Sequence, residues 1–286
     1  MQIDVFFHGG AAGQSDMAGR VVLVIDVLRA STTIAVALSN GARAVVPFEG
    51  ADEATLRSRS LDRREVLLAG ERKMLPVPGF DLGNSPREFS PEVVSGKTVL
   101  LTTSNGTAAM VATQGASDVV IGAYVNYTSV LAVLRASARA GQSLSIVCAG
   151  SHGRFALEDA ACAGRFVRGV ARRGIRPEVG DAARVAAMID RRLGSDVEAL
   201  LRLSDHGRAL MAAGFADDLP ACAALDSHAV VPVLQDRQLG ALGAGRRRLA
   251  CAPSCSASSP ESASSSWRCS SRGPTSSSPC LTTPRV

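Results

Sequence analysis

Val21-Val22-Leu23-Val24-Ile25 is an unbroken apolar run that ends at Asp26-Val27-Leu28-Arg29-Ala30-Ser31 and continues as TTIAVALSN to Gly41. Consecutive aliphatic residues without polar alternation predict a strand covered on both faces, as in a mainly parallel sheet. Residues 32–40 predict a helix closed by Gly41, and residues 44–47 start the next strand. Strand, helix and strand in this order make a βαβ unit.

The alternation continues outward. Strand patterns fall at 66–69, 98–101, 119–121 and 144–148, and helical patterns at 105–113, 126–140 and 157–173. Gly174-Ile175-Arg176-Pro177 interrupts the series, after which 181–193, 197–203 and 206–213 read as helices. A short strand at 229–234 is the last element expected in the body. The predicted fold class is α/β, a mainly parallel sheet of βαβ units flanked by helices, with a more helical part at about 177–228. The body is expected over 1–240, as one domain or two subdomains.

The remainder, 241–286, has a different composition. Its six arginines face Glu261 alone, whereas 1–240 holds 25 basic and 25 acidic residues, so the net charge of +5 resides in the tail. The tail is rich in Ser, Pro and Cys with almost no aliphatic periodicity, which predicts disorder. Out-of-frame translation of a GC-rich gene end would give a similar composition. A body of zero net charge in a chain with 4% aromatic residues argues against a nucleic-acid partner. No apolar run reaches a membrane span, and MQIDVFFHGG lacks the basic-then-apolar order of a secretory leader, so a cytoplasmic protein without a membrane partner is expected. The cysteine spacings are not those of a zinc site.

In open α/β sheets ligands bind beyond the carboxyl ends of the strands. Four such segments are polar. Asp26, Arg29, Ser31 and Thr32 follow the first run, an order that suits a metal, an anion and phosphate oxygens, though on this segment alone an N-capped helix is the favoured explanation. Gly70-Glu71-Arg72 follows the next strand. The loop Gly79-Phe80-Asp81-Leu82-Gly83-Asn84-Ser85-Pro86 offers Asp81, Asn84 and Ser85. Thr102-Thr103-Ser104-Asn105-Gly106-Thr107 is a hydroxyl-rich strand-to-helix turn suited to phosphate. It is no P-loop, because GxxxxGK[ST] is absent and the chain has only two lysines, Lys73 and Lys97. Glu158 and Asp159 open a later helix, where the dipole favours carboxylates. Cys148 reads as a packed strand residue, and His8, His152, His206 and His228 read as isolated structural or exposed residues.

VIDVLRASTTI, GER, GFDLGNSP, TTSNGT and the stretch from Cys148-Ala149-Gly150 to Glu158-Asp159-Ala160-Ala161-Cys162-Ala163-Gly164 occur in one order over about residues 2–239. In this the chain resembles the 2-phosphosulfolactate phosphatase family. It departs at Lys73-Met74, where the family tends to have a glycine, and the tail matches nothing. The resemblance implies a magnesium-dependent phosphatase that converts 2-phospho-3-sulfolactate to sulfolactate and phosphate, a step on a route to coenzyme M. Another phosphorylated hydroxy acid as substrate, or a non-catalytic phospho-ligand module, remains open, and a homo-oligomer is compatible with the sequence.

Such a substrate brings about four negative charges, which need a hard cation and arginines to offset them. On this reading Asp26, Glu71 and one of Glu158 and Asp159 are the expected Mg2+ ligands, with Asp81 in reserve. Asp26, Arg29, Glu71, Arg72 and Asp159 form the expected catalytic set, with Arg29 and Arg72 on the substrate anions. Ser31, Thr32, Asp81, Asn84, Ser85, Thr103, Asn105, Gly106 and Thr107 are the expected substrate or phosphate contacts. Leu28 stands where an aspartyl-phosphate enzyme carries a second carboxylate, so a metal-bound water is the expected nucleophile.

Overall fold

A computed structural model describes residues 1–172 and 174–243; the expected tail lies, from 244 onward, outside the described residues. From the N-terminus the elements are β1 (Gln2–Phe6), α1 (Gln14–Met17), β2 (Val21–Ile25), α2 (Ala30–Ser39), β3 (Ala44–Phe48) and α3 (Ala51–Ser58). There follow β4 (Val66–Arg72), β5 (Leu75–Pro76), α4 (Pro91–Val94), β6 (Thr98–Thr102), α5 (Gly106–Val111), β7 (Asp118–Gly122), α6 (Tyr127–Arg139), β8 (Leu144–Cys148) and α7 (Leu157–Val170). The last are β9 (Glu178–Val179), α8 (Asp181–Leu193), α9 (Val197–Leu203), α10 (Asp205–Ala212), α11 (Asp218–Ala223) and the hairpin β10 (Pro232–Gln235) and β11 (Gln238–Ala241).

The strands form one sheet in the order β5-β4-β6-β3-β11-β10-β7-β2-β8-β1-β9. β2 lies parallel between β7 and β8, and β6 lies parallel between β3 and β4. The apolar run of β2 explains its central place. Val21, Leu23 and Ile25 join one buried cluster with α6, α7 and α8, while Val22 and Val24 join another with α2 and Met110 of α5. With both faces buried, β2 carries no polar residue along its length, and the first one follows it at Asp26.

Several features depart from the sequence expectation. The strand expected at 229–234 begins at Pro232 as β10 and is half of a hairpin. β11 pairs antiparallel with β3 and β10 antiparallel with β7, so the hairpin joins the two parallel halves of the sheet. Asp236 and Arg237 make its turn with φ of 49° and 61°. Such a turn normally carries Asn or Gly, and their absence hides the hairpin in the sequence. β11 also runs to Ala241, one residue past the expected end of the body. β1, which lies between β8 and β9, is likewise not predicted from the sequence, because QIDVF is a short segment with only two buried residues. The helical group from α8 to α11 falls within the expected 177–228 span.

Candidate active site

The loops that follow β2, β4, β6 and β8 meet α10 around a cleft of about 240 Å³. Asp26, Leu28 and Arg29 come from the loop after β2; Glu71, Lys73 and Met74 from the end of β4 and its turn; Asn84 from the following loop. Thr103, Ser104 and Asn105 follow β6, Ser151 and His152 follow β8, and Asp205, His206 and Ala209 belong to α10.

Asp26 has two roles. Its Oδ1 accepts the Ala30 N–H at 3.2 Å and its backbone N–H donates to Ser31 Oγ at 2.8 Å, which caps α2. Its Oδ2 faces Gly106, where a Cβ would lie 2.7 Å away. Burial pushes the Asp26 carboxyl up to about 6, and the charges of Glu71 and Glu158 add to this, while His206 and the Ala30 N–H act in the opposite sense. Glu71 bridges two loops: Oε1 accepts the Ser104 N–H at 2.7 Å and Oε2 the Met74 N–H at 2.8 Å.

Glu158 and Asp159 divide by position. Asp159 is buried and braces two loops, accepting from Val27 N–H at 2.8 Å and Gly150 N–H at 3.1 Å. Burial, then the charges of Glu158 and Asp26, hold its carboxyl well above the usual range. Glu158 Oε1 lies 3.3 Å from His206 Nδ1, while its buried Oε2 has no hydrogen-bond partner. His206 was read as an isolated structural residue and instead lines the cleft. Burial works against its charge, but the hydrogen bond and charge of Glu158, with Asp26 behind it, raise its pKa. Cys148 is buried with its thiol pushed far up by burial, as a packing residue would be.

Of the residues expected to contact substrate, Asn84, Thr103 and Asn105 line the cleft. Asn84 is 4% exposed and its Oδ1 has no hydrogen-bond partner. The Thr103 and Thr107 hydroxyls lie 3.2 Å apart, and the Thr107 N–H also donates to Thr103. Thr32 donates to the Val27 carbonyl and Ser85 to Asp218, so both hold loops together. Asp81 lies away from the cleft, paired with Arg63 at 2.5 Å and accepting the Leu68 N–H. Arg72 donates to Thr102 Oγ1 and to the carbonyls of Glu49 and Glu71, tying β4 to β6 outside the cleft lining. Arg29 lines the cleft with its guanidinium engaged by Asp218 and Met74.

The sequence reading passed over Lys73, Ser104, Ser151, His152, Asp205 and His206 as cleft residues. α10 is far from the strand-end motifs in sequence, and no local pattern links it to them. Among the described residues no three His, Cys, Asp or Glu side chains converge as a metal cage, and no helix is long and apolar enough to cross a membrane.

Comparison with known proteins agrees with the geometry. The family described as 2-phosphosulpholactate phosphatase matches residues 10–237. A protein of Symbiobacterium thermophilum named "Probable 2-phosphosulfolactate phosphatase" is 42% identical over 224 residues, 78% of this chain and 95% of its own length. Proteins of the same name from Deinococcus radiodurans (43% identical; 75% of this chain, 87% of theirs) and Thermotoga petrophila (38%; 75% and 89%) are similar to it over 215 residues each. Matched through every strand-end loop that lines the cleft, the chain belongs to the 2-phosphosulpholactate phosphatase family.

Proposed function

We propose that this chain hydrolyses 2-phospho-3-sulfolactate to 3-sulfolactate and phosphate, with magnesium as cofactor, as a cytoplasmic step on a route to coenzyme M. The observation that carries the reading is the convergence of Asp26, Glu71, Asn84, Thr103, Ser104 and Asn105 on one cleft, in a chain whose relatives bear that name.

The donor set suits a hard cation. Asp26, Glu71 and Asn84 Oδ1 would hold magnesium, and the amide oxygen is a buried acceptor with no protein donor. Two carboxylates suffice because magnesium keeps several of its waters. Bound there, the ion supplies positive charge against the phosphate oxygens.

The protein's own groups position and protonate. Thr103 offers a hydroxyl to a phosphate on the cleft floor, and Ser104 and Asn105 offer hydroxyl and amide donors nearer its mouth. Water attacks phosphorus in line, and the bond from phosphorus to the C2 oxygen breaks. His206 is oriented by Glu158 at Nδ1, which leaves Nε2 to give a proton to that departing oxygen. Arg29 holds Asp218 and Met74, so its part is to shape the cleft.

The test is phosphate release from 2-phosphosulfolactate with magnesium, then with EDTA. Release abolished by EDTA supports the whole reading. Release indifferent to EDTA keeps the phosphatase and removes the metal. No release from folded protein turns the assignment to another phosphorylated hydroxy acid or to binding without turnover.

A further inference from the structure

Lys73 and Met74 form the two-residue turn between β4 and β5, closed by the pairs Glu71↔Pro76 and Arg72↔Leu75. Their φ angles are 51° and 71°, left-handed values that favour glycine or asparagine and penalise a long side chain. The turn is clamped at Met74 by two residues of the cleft itself. The Met74 N–H donates to Glu71 Oε2 at 2.8 Å, and the Met74 carbonyl accepts from Arg29 Nη2 at 2.9 Å. Lys73, the residue before it in the turn, lies exposed on the rim of the cleft.

The charge balance around the cleft singles Lys73 out. Arg29 is paired with Asp218 and His206 with Glu158. Among the described residues Lys73 is the one Lys or Arg side chain lining the cleft that has neither an ion pair nor a hydrogen bond from its head group. The turn, fixed at Met74, thus holds an unpartnered ammonium on the rim of the cleft, where it is free to meet a ligand anion.

We propose that Lys73 is a specificity-determining residue, whose ammonium pairs with the non-reacting anions, sulfonate and carboxylate, of a polyanionic phosphomonoester. This rests on the phosphatase reading above. Asp26, Glu71 and the Thr103 to Asn105 donors lie where the strands end, and Lys73 lies on the rim. A substrate with its phosphate on the floor therefore turns its remaining anions toward Lys73. A compact charge on a flexible stem serves this better than the rigid fork of arginine, because two anions of different shape share it.

The test compares Lys73→Met with the wild-type full chain on 2-phosphosulfolactate, on 2-phospholactate, which keeps the carboxylate alone, and on phenyl phosphate, which has neither anion. The ratio of kcat/KM for 2-phosphosulfolactate over phenyl phosphate is expected to fall about fivefold or more, through KM and not kcat, with 2-phospholactate between the two. Lys73→Arg recovers most of the ratio, and Lys73→Gly, which relieves the turn, behaves like Lys73→Met. An equal loss on all three substrates, or recovery of the ratio by Lys73→Gly, overturns the assignment. Calorimetric binding of 3-sulfolactate, expected to weaken by a similar factor in Lys73→Met, decides the point even where no phosphate is released. That last result would sink the phosphatase reading alone.

Discussion

Arg29 and Asp218, separated by 189 residues of chain, form an ion pair of 2.8 Å in which each side chain is only 2% exposed. Asp218 Oδ1 also accepts from the Ser85 hydroxyl at 2.6 Å, and the Arg29 guanidinium lies 4.4 Å from the centre of the Phe215 ring. The loop after β2, the GFDLGNSP loop and the start of α11 are thus locked at one point. Removing one partner leaves the other charge buried and uncompensated. Asp218→Ala is expected to lower unfolding free energy by about 3–5 kcal/mol, and Arg29→Met with Asp218→Leu to recover much of that loss. Urea unfolding of Arg29→Met, Asp218→Leu and the double variant checks the pair, and additive losses would show that it carries no coupling.

Asp26→Asn is expected to stabilise the protein at neutral pH while removing activity. The Asp26 carboxyl is raised from 3.8 to about 6 in the fold, chiefly by burial. Between those values the folded state holds a proton that the unfolded chain has lost. Stability contributed by this group therefore falls as pH rises through that window, and the ionised form costs on the order of 2–3 kcal/mol at neutral pH. Asn keeps an acceptor for the Ala30 N–H and carries no charge. Thermal melting in EDTA should show the variant above wild type near pH 7 and the difference closing below about pH 4. A variant that melts lower at both values contradicts the burial argument.

The sheet and the four strand-end loops were legible because their cause is local. The apolar strands β2, β4 and β6 bring their polar site residues at or just past their carboxyl ends, so Asp26, Glu71 and Thr103 announce themselves by position. Pairings of distant groups were not legible. Whether Arg29 meets a substrate or Asp218 depends on where α11 packs, and no periodicity in residues 218–223 encodes that. Asp81 was misplaced for a related reason: in a polar loop the sequence does not say which carboxylate turns back to brace a strand, and Asp81 turns to Leu68. His206 was missed because a histidine on a short helix resembles any other until Glu158 lies beside it.

The His206–Glu158 contact has a signed pH dependence. Burial alone would lower the imidazole pKa, but Glu158 and Asp26 raise it in balance. The folded protein therefore holds that proton more tightly than the unfolded chain. Its stabilising contribution is complete below about 6.5 and is lost as pH rises through the folded value. His206→Gln should accordingly lose more stability, relative to wild type, near pH 5.5 than near pH 9, as read by urea unfolding at both. The same variant should lose about a hundredfold in kcat on 2-phosphosulfolactate and less on phenyl phosphate, whose leaving oxygen needs less help from an acid. Equal losses on both substrates would deny His206 the acid role.

Gly106→Ala tests the packing that sets Asp26 against α5. A Cβ at this position would lie 2.7 Å from both Asp26 Oδ2 and Ala30 Cβ, and 3.3 Å from Thr103 Oγ1. Its backbone is not in the left-handed region, so the requirement for glycine is one of space alone. Neither Asp26 nor Ala30 moves freely: the carboxylate caps α2 through Ala30 N–H, and Ala30 is 1% exposed in the core. The added methyl must therefore push the loop 103–107 away from the end of β2. A displacement of order 1 Å between reacting groups costs about a hundredfold in rate, while overpacking of one methyl costs about 1–3 kcal/mol of stability. The expected result is a large fall in kcat with a folded protein whose melting temperature drops by a few degrees. Gly50→Ala is the control, since a Cβ there meets nothing within 4 Å. Full activity in Gly106→Ala would mean that the α5 loop can move away without disturbing the reaction, and that Asp26 and Thr103 do not act on the same phosphate.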